Sequence, residues 1–123
     1  MLYRHTPAMP TEVLRYLDCR PGKIVVDCTL GGSGHARVIL ENIMPDGLLI
    51  GIDQDRDAIR HAEEIFAPYA SQVRLFHDNF IHLQKILTQL GITAVDGILL
   101  DLGISLDQLE SSGRGFSFKR DEP

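Results

Sequence analysis

The hydrophobic and polar positions of this 123-residue chain change period several times along its length. Continuous apolar runs rich in β-branched residues are typical of strands buried on both faces, and apolar residues recurring every three or four positions are typical of amphipathic helices. The two patterns alternate. The predicted strands are 24–29, 48–53, 73–77 and 94–104, and the predicted helices are 11–17, 34–43, 56–69 and 80–90.

This alternation predicts a single α/β domain with a doubly wound parallel sheet, because βαβ units with right-handed crossovers place helices on both faces. Ligands of such sheets bind beyond the carboxyl ends of the strands, where the strand order reverses. Each predicted strand brings an acid to that edge: Asp27, Asp53, Asp78 and Asp101. The ligand must be compatible with this row of carboxylates.

A glycine-rich loop follows the first strand, and such a loop is one part of the dinucleotide-binding fingerprint. Gly32, Ser33 and Gly34 form a G-x-G segment, and Asp53 lies 19 residues after Gly34, as in the dinucleotide-binding fingerprint. However, Arg37 stands where the third glycine should be. Asp27 would also oppose a pyrophosphate, at a cost on the order of 1 kcal/mol. An NAD-linked oxidoreductase is therefore the less favoured alternative.

S-adenosylmethionine has the charge pattern that the acids require, since it carries an ammonium and a sulfonium and no phosphate. Its carboxylate can bind the backbone N–H groups of the loop, at a helix N-terminus. We expect Asp27 to face the cationic end, directly or through water, and Asp53 to accept hydrogen bonds from the ribose hydroxyls. Asp78 would accept from the adenine amino group, and Phe80 would form an apolar wall.

Composition limits the partners and the location. The net charge of −5 argues against a surface that coats nucleic acid, but Arg114, Lys119 and Arg120 form a local basic cluster around two phenylalanines, which suits an RNA substrate. Two cysteines and five histidines show no metal-ligand spacing, so no metal site is predicted. With neither a secretory signal nor an apolar run of about 18 residues, we expect a cytoplasmic protein without membrane segments.

Several short motifs together resemble one known family. In order along the chain these are DCTLGGSGHA, GIDQDRDAI, DNF, DGILLDLGIS, DQL and RGFSF. The chain is similar to the bacterial 16S ribosomal RNA cytosine-N4 methyltransferases, whose fold is a Rossmann-like S-adenosylmethionine-binding domain. The resemblance implies methylation of the exocyclic N4 amine of a cytidine in the small ribosomal subunit. It also implies cofactor contacts at Ser33, Gly34, His35, Asp53, Phe80, Asp101 and Gln108.

Members of that family are longer than this chain. The resemblance implies that residues 1–123 form one S-adenosylmethionine-binding domain with strands 1–4 in the order 3-2-1-4, without strands 5–7 and a helical insertion. The chain is then either the cofactor-binding part of the methyltransferase or a cofactor-binding module without activity of its own. Asp101 is the candidate catalytic acceptor for an amino proton of cytosine; its alternative role is cofactor binding only.

The last predicted strand, 94–104, raises a question about the edge of the sheet. In the order 3-2-1-4 it would be a long apolar edge with unpaired N–H and C=O groups and no lysine or proline inside it. We expect one of two arrangements. Either two copies pair these strands in a homodimer, or the tail after Gly103 folds back over the edge.

Overall fold

A computed structural model describes residues 19–32 and 34–100, together with the strands at 105–110 and 118–120, for which only the backbone is considered. The predicted helix 11–17 lies outside this part of the chain. The strands are β1 (Ile24–Asp27), β2 (Leu48–Asp53), β3 (Val73–His77), β4 (Ala94–Val95), β5 (Gly97–Leu99), β6 (Ser105–Glu110) and β7 (Phe118–Arg120). The helices are α1 (Gly34–Ile43), α2 (Arg56–Ile65) and α3 (Leu83–Leu90), and short 3-10 turns cover Leu30–Gly32, Ala67–Tyr69 and Phe80–His82.

The strands form one sheet in the order β3-β2-β1-β5-β6-β4, with β7 beside β6. β1 lies at the centre of the parallel part and pairs with β2 on one side and β5 on the other. β2 pairs in parallel with β3. Since β5 belongs to the fourth predicted strand, the predicted order 3-2-1-4 is confirmed. The strand order reverses at β1, because β2 and β3 lie on one side of it and β5 lies on the other.

Two apolar layers cover the two faces of the sheet. Alternate residues of the central strands point to opposite faces, so Val25 and Leu49 pack with α1 and α2, whereas Val26 and Ile50 pack with α3. Val25, Val26, Leu49 and Ile50 are all fully buried. Helices on both faces confirm the doubly wound arrangement, and burial on both faces explains why these strands lack polar alternation. None of the helices in the described residues is long and apolar enough to cross a membrane.

Capping residues set the ends of α2 and α3, and both helices are shorter than predicted. α2 begins after Asp55, whose carboxylate accepts from the backbone N–H of Asp57 at 2.9 Å, and it gives way after Ile65 to a 3-10 turn containing Pro68. The predicted helix 56–69 was therefore too long. The predicted helix 80–90 begins as a 3-10 turn, and α3 ends at Gly91, whose φ of 74° is the left-handed conformation that glycine adopts at helix ends.

The fourth predicted strand is divided at Asp96. The Asp96 carboxylate accepts from the backbone N–H of Ile24 at 2.8 Å, and the Asp96 N–H donates to the carbonyl of Ile24 at 2.7 Å. Both hydrogen bonds attach this point to the start of β1. On one side of it β4 pairs with β6, and on the other β5 pairs with β1 and with β6.

The exposed edge expected from the sequence is absent, because β6 folds back and pairs antiparallel with both β5 and β4. Residues 105–110 and 118–120, which lie beyond the last predicted strand, form strands. Their pattern is polar, and the free hydrogen-bonding edge of β5 provides the pairing partner. The folded-back tail is the second of the two expected arrangements; a homodimer stays a prediction.

Because the chain covers its own edge, we expect the backbone amides of β5 to exchange slowly with solvent in a dilute monomer. Hydrogen exchange followed by NMR across a concentration series, with light scattering on the same samples, measures this. Fast exchange of these amides in a monomer would contradict the pairing with β6. Protection that appears only as dimers form would instead support edge-to-edge association.

Candidate functional site

A cleft of about 360 Å³ opens at the carboxyl edge of the parallel strands. It is formed by residues at the ends of β1, β2, β3 and β5, where the strand order reverses, and the volume is within the range of small-molecule sites. Its lining residues are Cys28, Ile52, Asp53, Gln54, Asp78, Asn79, Phe80 and Leu100. Three of the predicted site residues, Asp53, Asp78 and Phe80, are thus brought together.

Asp53 ends β2 and is half-buried in the cleft wall. One carboxylate oxygen, Oδ1, accepts from the backbone N–H of Asp55 at 2.8 Å, which fixes the side chain in the turn before α2. The carbonyl of Asp53 accepts from the N–H of Asp78 at 3.0 Å and so joins the ends of β2 and β3. The two acids therefore line one cleft from neighbouring strands.

Asp78 is held by hydrogen bonds to one oxygen. Its Oδ1 lies 2.7 Å from Nδ1 of His82 and accepts from the backbone N–H of Asn79 at 2.7 Å. The His82 hydrogen bond, followed by that of Asn79, holds the pKa of Asp78 below its ordinary value of 3.8. At neutral pH Asp78 is therefore ionised and can only accept hydrogen bonds.

Phe80 supplies an apolar surface beside these acids. Its side chain is 41% exposed, and the neighbouring Ile81 is 65% exposed. The preceding residue, Asn79, accepts from the N–H of Ile81 at 3.0 Å and caps the 3-10 turn that presents Phe80 at the cleft. Large apolar side chains are usually buried, so this exposure beside polar acceptors is suited to a ring-shaped ligand.

Asp27 lies deeper in the sheet than Asp53. In the pairing of β1 with β2, Asp27 is opposite Gly51, so Asp53 extends two residues, or about 7 Å, beyond it. Asp27 is fully buried and is not among the lining residues of the cleft. Its carboxylate accepts from the backbone N–H of Thr29 at 2.7 Å and from the Thr29 hydroxyl. Its direct contact with a cofactor stays a prediction.

The glycine-rich loop leads from β1 into α1. Gly32 ends the 3-10 turn after β1, and Gly34 and His35 begin α1. His35 is half-buried, with Nδ1 3.2 Å from Oγ1 of Thr29. These three residues lie beside the end of β1 but do not line the cleft as described.

The remaining predicted site residues fall outside what the structure describes. Ser33, Asp101 and Arg114 are not described, and Gln108, Lys119 and Arg120 are described only as backbone within β6 and β7. Their roles stay predictions.

Sequence reasoning missed four lining residues, Cys28, Ile52, Gln54 and Leu100, whereas Asn79 lies within the DNF motif at the end of the third predicted strand. Gln54 directly follows Asp53, so extending that strand-end position by one residue would have found it. Cys28 and Leu100 had been assigned to buried strands, and only the pairing of the strands shows that they reach the cleft. Among the described residues, no three His, Cys, Asp or Glu side chains form a group that would hold a metal ion.

Comparison with known proteins identifies the family. Residues 2–123 match the family described as the MraW methylase family. The chain belongs to this family. The resemblance expected from the sequence motifs is thereby confirmed.

The relatives of this MraW methylase chain are larger proteins. The ribosomal RNA small subunit methyltransferase H of Desulforapulum autotrophicum is 58% identical over 123 residues, and the alignment covers 100% of this chain and 39% of that protein. The protein of the same name in Symbiobacterium thermophilum is 43% identical over 123 residues, again covering 100% of this chain and 39% of that protein. The chain therefore spans about two-fifths of the length of these relatives.

Solved structures confirm the Rossmann-like fold of methyltransferases. A protein-L-isoaspartate O-methyltransferase superposes with a TM-score of 0.63 at 9% identity, covering 95% of this chain and 45% of that chain. A SAM-dependent O-methyltransferase from Thermotoga maritima gives a TM-score of 0.55 at 15% identity, covering 63% and 31%. At these identities the likeness shows the fold alone.

The pKa of Asp78 provides a test of the site geometry. Because hydrogen bonding favours the charged form of Asp78, its pKa in the folded chain lies below its pKa in the unfolded chain. The charged Asp78 therefore stabilises the fold at a pH above the unfolded pKa, and this contribution is lost as the pH falls through the folded pKa. We expect His82→Ala to raise the pKa of Asp78. The carboxyl chemical shift in an NMR titration measures this.

Lys85→Ala is the matched control for this titration, since Lys85 lowers the same pKa by charge alone and is the smallest of the causes. It should raise the pKa less than His82→Ala does. An unchanged pKa in the His82 variant would show that the His82–Asp78 hydrogen bond is not formed.

Proposed function

We propose that this chain carries the cofactor-binding part of an S-adenosylmethionine-dependent methyltransferase that acts on the N4 amine of a cytidine in 16S ribosomal RNA. The observation that carries the proposal is the cleft at the switch point of the sheet, where two acceptor carboxylates and an exposed phenylalanine meet. Membership of the MraW methylase family supports it. A cofactor-binding module without activity of its own is the second candidate.

The chemistry of the cleft fits the adenosine half of the cofactor. Asp53 can accept from the ribose hydroxyls through its second oxygen, since Oδ1 is already held by Asp55. Asp78 is ionised and can accept from the adenine amino group. Ile52, Phe80 and Leu100 provide the apolar surface that a purine ring needs. The cofactor would supply an activated methyl group bound to a sulfonium.

An NAD-linked oxidoreductase is disfavoured by the start of α1. In the dinucleotide fingerprint the third glycine allows the helix to pack closely on the strand. The residue at that position here, Arg37, is exposed, and the buried residue that packs against the sheet is the preceding Ala36. Close packing is therefore achieved one position earlier, and the fingerprint does not fit this loop.

Methyl transfer to cytosine requires a positioned amine. In such a transfer N4 would bond to the methyl carbon as the sulfur–methyl bond breaks, and the proton lost from N4 would pass to an acceptor or to water. The lone pair of the amine is delocalised into the ring, so an acceptor that holds an amino proton would turn the amine toward the methyl group. We propose Asp101 for this role, because it follows Leu100, a lining residue of the cleft. Cofactor binding alone is the alternative for Asp101.

The remaining parts of the proposal follow from the substrate. A small ribosomal subunit as partner implies a cytoplasmic location, and Arg114, Lys119 and Arg120 are the proposed phosphate contacts. We propose Ser33, Gly34, His35 and Gln108 as further cofactor contacts, on the basis of the family motifs. Few basic residues are available, so RNA binding by these residues alone should be weak.

Isothermal titration calorimetry with S-adenosylmethionine, its demethylated product and NAD tests the proposal. We expect the first two to bind and NAD not to bind. Asp53→Asn should weaken binding by about 1–3 kcal/mol, the range for a lost charge-assisted hydrogen bond.

Asp46→Asn is the matched control for that experiment. It makes the same charge change in an exposed turn between α1 and β2, which is at the opposite edge of the sheet. The affinity of the Asp46→Asn variant for S-adenosylmethionine should equal that of the unsubstituted chain. Equal affinities for both variants would remove Asp53 from the site, and tighter binding of NAD than of S-adenosylmethionine would reject the proposed cofactor.

We expect little methyl transfer to RNA by the 123-residue chain on its own, because it spans 39% of a related full-length methyltransferase. Incorporation of a tritiated methyl group into small ribosomal subunits measures this, with a full-length relative as the positive control. Robust turnover by the short chain would show that the residues present here suffice for RNA recognition.

A further inference from the structure

The turn between β3 and α3, residues 78–82, is closed by a hydrogen bond between the side chains at its two ends. Nδ1 of His82 lies 2.7 Å from Oδ1 of Asp78. The chain between them carries Phe80, a lining residue of the cleft. Within the turn, the backbone N–H of His82 also donates to the carbonyl of Asn79 at 3.0 Å. The side-chain bridge therefore spans the segment that presents Phe80.

The proton in this bridge belongs to the imidazole. Hydrogen bonds from His82 and from the backbone of Asn79 hold the pKa of Asp78 below its ordinary value of 3.8, so the carboxylate is ionised at neutral pH. An ionised carboxylate can only accept hydrogen bonds. Nδ1 of His82 must therefore carry a proton and donate it to Oδ1 of Asp78.

The two oxygens of Asp78 are used unequally. Oδ1 accepts from His82 and from the backbone N–H of Asn79, both at 2.7 Å, whereas Oδ2 accepts from neither. The side chains of His82 and Asp78 are 52% and 38% exposed. An exposed side chain loses rotamer freedom when a ligand immobilises it, which weakens binding. Because the bridge already orders Asp78, this loss occurs on folding rather than on binding.

We propose that His82 is a positioning residue, which holds Oδ1 of Asp78 so that Oδ2 is the oxygen left to accept from a ligand. His82 is not among the lining residues of the cleft, and it acts through Asp78, which is one of them. The inference rests on the proposed cofactor site and deepens it by naming the residue that prepares one of its acceptors.

The consequence for the ligand is a preference for a purine that carries an amino group. A carboxylate held in one orientation by two donors offers an acceptor at a fixed place, and the exocyclic amino group of adenine is a matching donor. A purine without this group leaves the ionised oxygen without a partner. His82 thereby strengthens the discrimination that Asp78 makes.

The proton on Nδ1 can be observed directly by ¹⁵N NMR of the imidazole in the ligand-free chain. The chain has five histidines, and the signal absent from a His82→Asn variant belongs to His82. With the pH raised until the signals no longer change, we expect the Nδ1–H pattern for His82. Asp78→Ala removes the acceptor and should shift His82 toward the Nε2–H form that free imidazole side chains prefer.

Binding measurements test the preference for the amino group separately. The ligands are S-adenosylhomocysteine and its analogue with purine in place of adenine, which lacks only the amino group. In the unsubstituted chain the analogue should bind about 10-fold more weakly, the effect of one hydrogen bond to a charged group. His82→Ala should reduce this ratio of affinities by about 2- to 5-fold, because the ligand must then order Asp78 itself.

Two further variants are the controls for the ratio. His82→Asn keeps an N–H donor the same number of bonds from the backbone as Nδ1, and it should retain the ratio of the unsubstituted chain. Lys85→Ala removes a charge that acts on Asp78 without a hydrogen bond, and it should also retain the ratio.

The outcomes separate this proposal from that of the cofactor. An Nε2–H pattern for His82 in the unsubstituted chain overturns the positioning role, whether or not the His82→Ala variant folds. The Nδ1–H pattern without binding of either ligand supports the positioning of Asp78 and rejects the cofactor. An equal ratio in the unsubstituted chain and in His82→Ala, with an unchanged urea midpoint, overturns the role of His82 in selecting the amino group and leaves the cofactor site intact.

Discussion

The parallel pairing of β1 with β2 and β5 is the constraint on which the rest of the structure depends. β1 therefore has strand partners on both edges and helices on both faces, and Val25, Val26 and Asp27 are fully buried. The chain must leave this strand in a tight turn toward α1, and it must place β2 and β5 on opposite sides. A cleft forms at the carboxyl edge for that reason.

Burial at the end of β1 gives Asp27 a role different from that of the other acids. A carboxylate in an apolar interior must be hydrogen-bonded, and Thr29 supplies two donors within the turn. Asp53 and Asp78 lie nearer the solvent, where one oxygen of each is held by the chain. The same residue type therefore stabilises a turn at one strand end and lines the cleft at the next two.

The outer part of the sheet shows how an exposed strand edge is covered. β5 is a short apolar strand, and its free side is covered by β6, which also pairs with β4. The turn at Asp96 makes this possible, since its hydrogen bonds to Ile24 anchor the chain at β1 while the strand divides. Backbone hydrogen bonding can recruit a polar segment into a sheet although its side-chain pattern is typical of a loop.

The sequence by itself determined the α/β class and three acceptor or apolar residues of the cleft, Asp53, Asp78 and Phe80, and the resemblance to a known family supplied the strand order. Apolar periodicity and the acid at each strand end are local signals, and they needed no knowledge of distant contacts. Only the tertiary structure decided the depth of Asp27, the cleft positions of Cys28 and Leu100, and the pairing of β6. Each of these depends on register between strands that are far apart in the chain, and a register shift of two residues moves a side chain by about 7 Å without changing its own pattern.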